Sequence, residues 1–478
     1  MRQGSNSGGA RQPHKVWTLV VASLGVFMTA LDTLVVTTAL PVLRVDLDAS
    51  LADLEWTVNA YNLSFACLLL TGAALGDRFG RRRMFAVGLL VFTAASVAAA
   101  LSPSADALIA ARALQGAGAA IVTPLTLTLI SEAFPTEKRG TAIGLWGGIV
   151  GLAVAAGPVV GGTVVDGIDW HWIFWINVPI GLILIPLARR RLTESFGPPA
   201  QLDVIGLVIA ALGALGLTWG LIRASSAGWL SAEVTASLLG GAALLGAFIA
   251  WERRARSPML PLGLFRNRGF AAANVVSFCM YAGLFGAMFL ISQLLQTALG
   301  YSPLRAGLAL LPWTATPMLV APLAGALADR FGNRPFMVLG LTFQAIGYAW
   351  VAAIADYGVS YAELGVAFTV AGVGTSFCFP TVANAVMSSV PQAEAGVASG
   401  TNSAMRELGG VFGVAVLASI FAARGGYGTP AAFVAGFTPA IWIAAALSAV
   451  GILAAVLTAG RGPREIATPA LALTTEAD

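Results

Sequence analysis

The sequence LGDRFGRR at residues 75–82 recurs as LADRFGNR at residues 327–334, 252 residues later. Each copy joins two long apolar segments. The glycine after the phenylalanine allows the sharp turn that two adjacent helices need, and the acidic and basic side chains can pair across the helix ends. A duplicated interhelical loop indicates an internal repeat, in which two similar groups of helices follow one another along the chain.

The composition of the chain is that of a protein surrounded by lipid. Of its 478 residues, 57% are apolar and 10% are charged, whereas a soluble domain carries about 25% charged residues. The mean hydropathy is +0.81. Because so few charges cannot coat a water-facing surface of this size, an ordinary soluble protein is excluded and an all-α polytopic membrane protein is predicted.

Fourteen segments are long and apolar enough to cross a bilayer, for which about 20 residues are needed. The first is too long for the apolar core of a signal peptide and contains Asp32, so we expect it to be a true span. The fourteen segments lie near 16–40, 55–75, 84–101, 107–131, 140–164, 171–188, 203–222, 234–251, 270–297, 304–327, 336–355, 361–388, 405–423 and 432–459.

The basic residues alternate from loop to loop. An even number of spans places both termini on one side, and the loops and tails of that side hold 21 of the 27 lysines and arginines. The opposite side holds four, and Arg112 and Arg406 lie within spans. Because positively charged loops remain in the cytoplasm, we expect cytoplasmic N and C termini in a bacterial plasma (inner) membrane.

Eight spans separate the two copies of the repeated loop, which fits two six-helix bundles with two additional helices inserted between them. Duplication of this kind, with the binding site between the halves, is common in secondary transporters. The predicted units are a cytoplasmic N-tail (1–15), an N-terminal bundle (16–195), two inserted helices (196–256), a C-terminal bundle (257–460) and a cytoplasmic C-tail (461–478).

Four further stretches carry a family resemblance. They are LDT followed by ALP within 31–41, RALQGAG at 112–118, GPVVGG at 157–162 and WIFWINVPIG at 172–181. Together with the repeated loop, they make the chain resemble the major facilitator superfamily, and specifically its fourteen-helix drug:proton antiporter branch. Ala73 and Ala153 stand where the family patterns have glycine, and these departures are mild.

The resemblance implies a major facilitator fold and multidrug efflux, the activity behind antibiotic resistance. The expected function is a proton-coupled antiporter that exports small lipophilic drugs or antibiotics, cationic ones among them, by alternating access. A proton-coupled symporter, or an exporter of an endogenous metabolite on the same fold, is the alternative. A membrane-embedded enzyme is disfavoured, because His14 and His171 are isolated and no pair of acidic residues is predicted within a span.

The expected energy source is the proton gradient. The chain contains no Gly-Lys dipeptide and therefore no Walker A loop, and its three cysteines are scattered without the spacing of a metal site. We expect no cofactor and no metal. The predicted partners are a small-molecule substrate, protons and the lipid bilayer, without nucleic acid, and a monomer is expected.

Three ionisable residues are predicted to couple proton movement to transport. Ionisable groups at bilayer depth are costly and usually functional. Asp32 lies about two-thirds along the first span and is the candidate proton carrier, unless that span is shorter and Asp32 lies at its outer mouth. Arg112 resembles the arginine of the second motif, which implies a role in proton transfer with Asp32 as its partner; otherwise it reaches the outer interface. Glu407, where the branch often has glutamine, is a further candidate or an ordinary helix-end residue.

The repeated loop and the GPVVGG stretch are predicted to serve conformational change. A cluster of paired charges can hold helix ends together in one state and release them in another, although a plain topology signal is the alternative. The predicted latch comprises Asp77, Arg78, Gly80, Arg81, Asp329, Arg330 and Gly332. The predicted antiporter motif comprises Gly157, Pro158, Gly161 and Gly162, whose small residues allow close helix packing and whose proline bends the helix. Pure packing is the alternative.

The ninth span combines aromatic and amide side chains at helical spacing. An apolar cavity with a few polar groups suits a lipophilic ligand, whereas a lipid-facing or packed stripe is the alternative. The predicted substrate cavity comprises Gln115, Asn274, Phe278, Tyr281, Phe285 and Gln293.

Overall fold

The chain folds into a bundle of long α-helices. A computed structural model describes residues 14–197, 203–255, 258, 260, 262–390 and 395–458, and no strand occurs among them. The first group of helices is α1 (His14–Asp46), α2 (Leu51–Phe79), α3 (Arg81–Ala100), α4 (Ala105–Ala133), α5 (Thr136–Gly167), α6 (Trp172–Trp175) and α7 (Asn177–Arg191). Two helices follow, α8 (Val204–Ala227) and α9 (Ala232–Glu252). The remaining helices are α10 (Arg268–Gln293), α11 (Pro303–Ala309), α12 (Leu311–Thr314), α13 (Thr316–Phe331), α14 (Asn333–Ile354), α15 (Tyr361–Ser388), α16 (Ala395–Arg424) and α17 (Pro430–Leu457).

The number of membrane spans agrees with the sequence. In the described part of the chain, 13 helices are long and apolar enough to cross a membrane, and α2, which is bent by 50° between Leu69 and Thr71, brings the number to 14. The all-α, fourteen-span prediction is therefore confirmed. The largest error is at the thirteenth span, which was predicted to begin at residue 405, whereas α16 begins at Ala395. The tails at 1–13 and 459–478 lie outside the described residues.

The two ends of the bundle differ in how their helices begin. The end that holds Gly80 and Gly332 is called the repeat-loop end, and the opposite one the far end. Both glycines have positive φ, 102° and 89°, which side chains disfavour and which explains the repeated glycine. Six of the helices that start at the far end have a serine or threonine N-cap, which satisfies free backbone N–H groups. These caps are Ser50, Ser104, Ser231, Ser302, Ser360 and Thr429.

Two pairs of helices join the halves. Within the first half α2 packs on α4 and α1 on α5, and within the second half α10 packs on α16 and α14 on α15. Between the halves, α2 packs on α16 and α5 on α11. The inserted α8 packs on α9 and also touches α2 and α16. The predicted domain limits near residues 195 and 256 stay predictions.

The outward faces of the inserted helices are apolar. Leu239 on α9 is 72% exposed, and Val208 on α8 is 47% exposed. Water would make such surfaces costly, whereas acyl chains do not, so a multi-pass position in the bilayer explains them. The polar side chains are instead collected inside the bundle, where the candidate site lies.

Candidate functional site

A buried ion pair joins α1 to α4. One terminal nitrogen of Arg112 donates to a carboxylate oxygen of Asp32, and the two residues are 1% and 2% exposed. The Nε of Arg112 donates to the backbone oxygen of Thr57 on α2, at 3.1 Å, and its guanidinium lies 4.4 Å from the ring centre of Tyr61. Asp32 is therefore inside the span rather than at its mouth, and Arg112 does not reach the interface.

Two amides complete the surroundings of Asp32. Gln115 donates to the second carboxylate oxygen at 3.1 Å and to the hydroxyl of Ser96 at 2.8 Å, and it accepts from Arg112 at 2.9 Å. Asn177, at the start of α7, donates to the same oxygen of Asp32 at 2.7 Å. Donors from α4 and α7 thus reach one carboxylate on α1, and Ser96 on α3 supports Gln115. Such a network gives hydrogen-bond partners to a buried acid in a setting where an unpaired polar group would be expensive.

Sequence analysis paired Asp32 with Arg112 but assigned no role to Asn177. Asn177 is the polar residue of the WIFWINVPIG stretch, but an asparagine near a helix start is common. Only the fold, however, brings α7 beside α1, from 145 positions along the chain.

A cavity of about 320 Å³ lies between the two halves, at the middle of the bundle. Its wall on the first half includes Thr33, which follows Asp32 in sequence, and Tyr61, whose ring lies against Arg112. The first half also contributes Thr29, Phe65 and Trp146. The wall on the second half includes four aromatic side chains and two charged ones, namely Tyr281, Phe285, Trp313, Phe379, Arg406 and Glu407. A mostly apolar wall with few polar groups is the ordinary form of a site for small lipophilic molecules.

The structure places only two of the six predicted cavity residues in this wall, Tyr281 and Phe285. The other four are corrected. Gln115 binds Asp32, Asn274 accepts from Asn402 at 3.2 Å, and Gln293 accepts from the Tyr427 hydroxyl. Phe278 lines a second, apolar cavity of about 230 Å³ between α2, α8, α9, α10 and α16. The ninth span was treated as one stripe, whereas its faces turn toward different neighbours.

Arg406 and Glu407 lie deeper than predicted. Because α16 begins at Ala395, these residues are about 17 Å along the helix at 1.5 Å per residue, and both line the central cavity. Arg406 donates to Ser403 at 2.9 Å and to the Tyr281 hydroxyl at 3.4 Å. The helix-end interpretation is therefore wrong. The role of Glu407 in proton coupling stays a prediction.

The halves touch closely where α5 meets α11 at the far end. A Cβ atom added at Gly162 would collide with the backbone oxygen of Pro303, and one added at Gly307 would collide with that of Pro158. One at Gly157 would lie 2.6 Å from the Cβ of Leu34. Gly161 is equally tight against α1. Pro158 and Gly162 of the predicted antiporter motif thus form a packed seam with α11 of the other half, whereas Gly157 and Gly161 pack α5 against α1 of the same half.

The repeat-loop half of α5 is open by comparison. Cβ atoms added at Gly147, Gly148 or Gly151 would meet nothing within 4 Å, and Gly147 lines the cavity. This part of α5 therefore borders open space beside the central cavity.

The first repeated loop is held by an ion-pair network. Arg81 pairs with Asp77 at 2.7 Å and also with Glu132 at the end of α4. Glu194, after α7, accepts from the backbone of Arg82 at 2.9 Å. These described contacts stay within the first half.

In both copies of the loop, the arginine that follows the aspartate lies over the ring of the next residue. Arg78 is 5.3 Å from the ring centre of Phe79, and Arg330 is 5.4 Å from the ring centre of Phe331. The side chain of Asp329 lies outside the described residues, and the latch function stays a prediction.

Replacing Arg81 with glutamine should destabilise the protein. Arg81 is 12% exposed and joins two helix ends, so we expect a loss of about 1–3 kcal/mol, the usual value for hydrogen bonds to charged groups. Arg83→Gln is the matched control, because Arg83 is 70% exposed and 3.4 Å from Glu194, and should cost less than about 1 kcal/mol. Thermal unfolding in detergent measures both. Equal losses would contradict the structural role of Arg81.

The chain is similar to exporters of known name. The sequence profile of the Major Facilitator Superfamily matches residues 22–251 and 273–474. The tetracenomycin C resistance and export protein of Streptomyces glaucescens is 36% identical over 412 residues, covering 86% of this chain and 76% of the relative. The multidrug efflux pump LfrA of Mycolicibacterium smegmatis is 36% identical over 435 residues, covering 90% and 85%. The methylenomycin A resistance protein of Bacillus subtilis is 34% identical over 415 residues, covering 86% and 89%.

Solved structures share the fold at low identity. A peptide transporter POT in complex with sulfate matches with a TM-score of 0.68 and 16% identity, over 93% of this chain and 96% of the other. A bacterial homologue of the human lysosomal transporter Spinster matches with a TM-score of 0.67 and 15% identity, over 95% and 100%. Helix order, the repeated loop and the sequence profile agree. The chain belongs to the Major Facilitator Superfamily.

Proposed function

We propose that this protein is a proton-coupled antiporter that exports small lipophilic drugs or antibiotics by alternating access. The observation that carries the proposal is the position of the Asp32–Arg112 pair directly behind the wall of the central cavity. Thr33 and Tyr61 belong to that wall, while Asp32 and Arg112 lie buried beside them. A proton on Asp32 would weaken the pair and change the packing of the wall that a substrate touches.

The chemistry of the cavity supports an amphipathic cargo. Aromatic side chains offer a large apolar surface at little entropic cost, while Thr29, Thr33 and Ser403 supply hydroxyl groups. The relatives whose names include tetracenomycin C, methylenomycin A or multidrug efflux point to the same class of cargo. We propose that the substrates are drugs or antibiotics of this kind.

Proton movement supplies sufficient energy. One proton that moves down a membrane potential of 100 mV yields about 2.3 kcal/mol, and a pH gradient adds to this. That is enough for a useful concentration gradient of a small solute without nucleotide hydrolysis. The protein would need no cofactor, and would act on its substrate without chemical change, as a monomer.

The far end would face the outside of a bacterial plasma membrane. The repeat-loop end carries most of the basic residues, which favours a cytoplasmic position for it and for both termini. The cavity would then be open to the cytoplasm and closed to the outside, the state in which an exporter loads its cargo. Opening the seam between α5 and α11 while the repeat-loop end closes would release it.

Inverted membrane vesicles provide the direct test. A proton gradient is established and reported by quenching of a pH-sensitive dye, and a drug panel is then added. We expect substrates to restore the fluorescence, because each exported molecule is exchanged for protons. Vesicles that contain the Asp32→Asn variant are the control. A wild-type protein that gives no response to any compound would refute antiport.

Replacing Glu407 with glutamine should alter selectivity between cations and neutral molecules. Glu407 lines the cavity, whereas its neighbour Arg406 is engaged by Tyr281 and Ser403. A carboxylate attracts a cationic substrate in a site of low dielectric constant. We expect Glu407→Gln to weaken export of a monocationic dye by roughly 5- to 30-fold, equivalent to about 1–2 kcal/mol, and to spare a neutral dye of similar size. Equal effects on both dyes would remove Glu407 from cation recognition.

A further inference from the structure

A stripe of three buried polar residues runs along α2 near the far end. Glu55, Asn59 and Asn62 are 1%, 0% and 0% exposed. All six of their side-chain oxygen and nitrogen atoms are buried without a hydrogen-bond partner. Buried polar groups are normally satisfied, so such a cluster requires an explanation. None of the three residues lines either cavity.

The stripe faces the other half of the protein. Spacings of four and seven residues place Glu55, Asn59 and Asn62 on one face of the helix. The opposite face of α2 binds α4, through the backbone of Thr57 and the hydroxyl of Ser64. On the side next to the stripe, Leu63 packs with Leu408 and Val411 of α16. The stripe is therefore part of the far-end interface between the halves.

The helix that faces the stripe, α16, offers few hydrogen-bond partners for it. Ser419 lies 11 residues after Leu408, which is about three helical turns, and so occupies the same face of α16. Its hydroxyl oxygen is also buried without a partner. The charged residues of α16 are Arg406 and Glu407 at the central cavity and Arg424, which is exposed at the far end.

Three arginines lie on the helices around α2, and none of them bonds to Glu55. Arg112 on α4 pairs with Asp32, on the opposite face of α2. Arg223 on α8 pairs with Glu233 at 3.1 Å. Arg44 on α1 lies over the ring of Tyr427, 3.9 Å from its centre, and its Nε is buried without a hydrogen-bond partner. Tyr427 is itself within electrostatic reach of Glu55: burial raises the pKa of its hydroxyl, Arg44 lowers it and Glu55 raises it.

An ionised Glu55 would be very costly in this position. A buried charge without a partner is disfavoured by several kcal/mol, and no described residue bonds to either oxygen of this carboxyl group. The neutral acid avoids that cost. When α2 and α16 separate, the same group meets water at the far end and can ionise, and both asparagines gain water as a hydrogen-bond partner.

We propose that Glu55 is a proton-binding site of the far-end interface, at which closure of α2 onto α16 takes up one proton from the far-side solution. The inference rests on the alternating access proposed above, but concerns a different carboxyl group from Asp32. Closed protein holds Glu55 as a neutral acid, and open protein holds it as a hydrated carboxylate. Rising pH therefore favours the open far end, and acid on that side favours closure. The unsatisfied amides keep the closed interface from becoming permanent.

Distance measurements at several pH values test this gate. Spin labels are attached to cysteines at Asp106 and Ala431, two exposed far-end positions on different halves, in an otherwise cysteine-free protein in nanodiscs. When the pH is raised from about 5 to about 9, the distance between the two labels should become longer in the wild-type protein. One proton per closure changes the ratio of open to closed protein by up to tenfold per pH unit.

Glu55→Gln should lose that one-proton dependence and remain closed as the pH rises, whereas Glu55→Asp should retain it. Glu363→Gln is the matched control, because Glu363 lies at the same end but is exposed at the start of α15, and should behave as the wild type. If Glu55→Gln and wild-type protein have the same pH dependence, the gate is refuted. Proton exchange in the vesicle assay is a separate readout: a wild-type protein that shows the gate but no exchange would refute antiport alone.

Discussion

Export driven by a proton gradient is expected to disappear when Asp32 is replaced by asparagine. The amide keeps nearly the same shape and can still bind Gln115 and Asn177, which hold Asp32 at 3.1 and 2.7 Å. It cannot, however, alternate between a charged and a neutral form. In inverted vesicles, substrate-induced recovery of dye fluorescence should fall to the level of vesicles without the protein.

The same substitution leaves Arg112 as an unpaired buried cation. Removal of one partner of a buried ion pair costs about 3–5 kcal/mol, so Asp32→Asn alone should unfold at a lower temperature. The double variant Asp32→Asn/Arg112→Gln removes both charges and should recover most of that stability without recovering transport. This separates loss of function from loss of folding. Normal active export by either variant would exclude Asp32 as the proton carrier.

The buried pair was accessible to sequence reasoning because each partner is a charge within an apolar span. The free-energy cost of a charge inside the membrane marks Asp32 and Arg112 as exceptional. Because each buried charge needs an opposite one, the two residues are then predicted to pair. Asn177 and Glu55 gave no comparable signal. An asparagine near a helix start is common, and Glu55 lay at the predicted limit of its span, where a charged residue needs no explanation. Their burial depends on helices far away in the sequence.

The cavity was less predictable than the spans. Span existence depends on the sum of apolar residues, which is robust, while the lining of a cavity depends on which face of each helix turns inward. All four residues in question lie on α10. Tyr281 and Phe285 face the cavity, whereas Asn274 and Gln293 face packed neighbours on other parts of the chain. The start of α16 was missed because its first two turns are small and polar. That error concealed the depth of Glu407, although the residue itself had been selected.

Adding a single methyl group at Gly162 is expected to hold the far end open. The Cβ of Gly162→Ala would overlap the backbone oxygen of Pro303 and lie 2.8 Å from the Cα of Leu304. Because both obstacles are backbone atoms, no side-chain rotation relieves the collision. Overpacking of this kind costs about 1–3 kcal/mol, which corresponds to a shift of roughly 5- to 150-fold toward the open form. Gly307→Ala should act alike from the other side of the seam, through Pro158.

The matched control lies on the same helix. Gly148→Ala adds the same methyl group to α5 at a place with no atom within 4 Å, and should change neither conformation nor transport. A cysteine at Ala306, a fully buried position on α11, reports the seam in a cysteine-free protein: a water-soluble maleimide should label it faster in the Gly162→Ala variant than in wild-type or Gly148→Ala protein. Export should also fall in the Gly162→Ala variant, because a transporter that cannot close its far end cannot return to the state that loads substrate. If Gly162→Ala leaves Ala306→Cys protected and export intact, the seam is ordinary packing and the far end closes elsewhere.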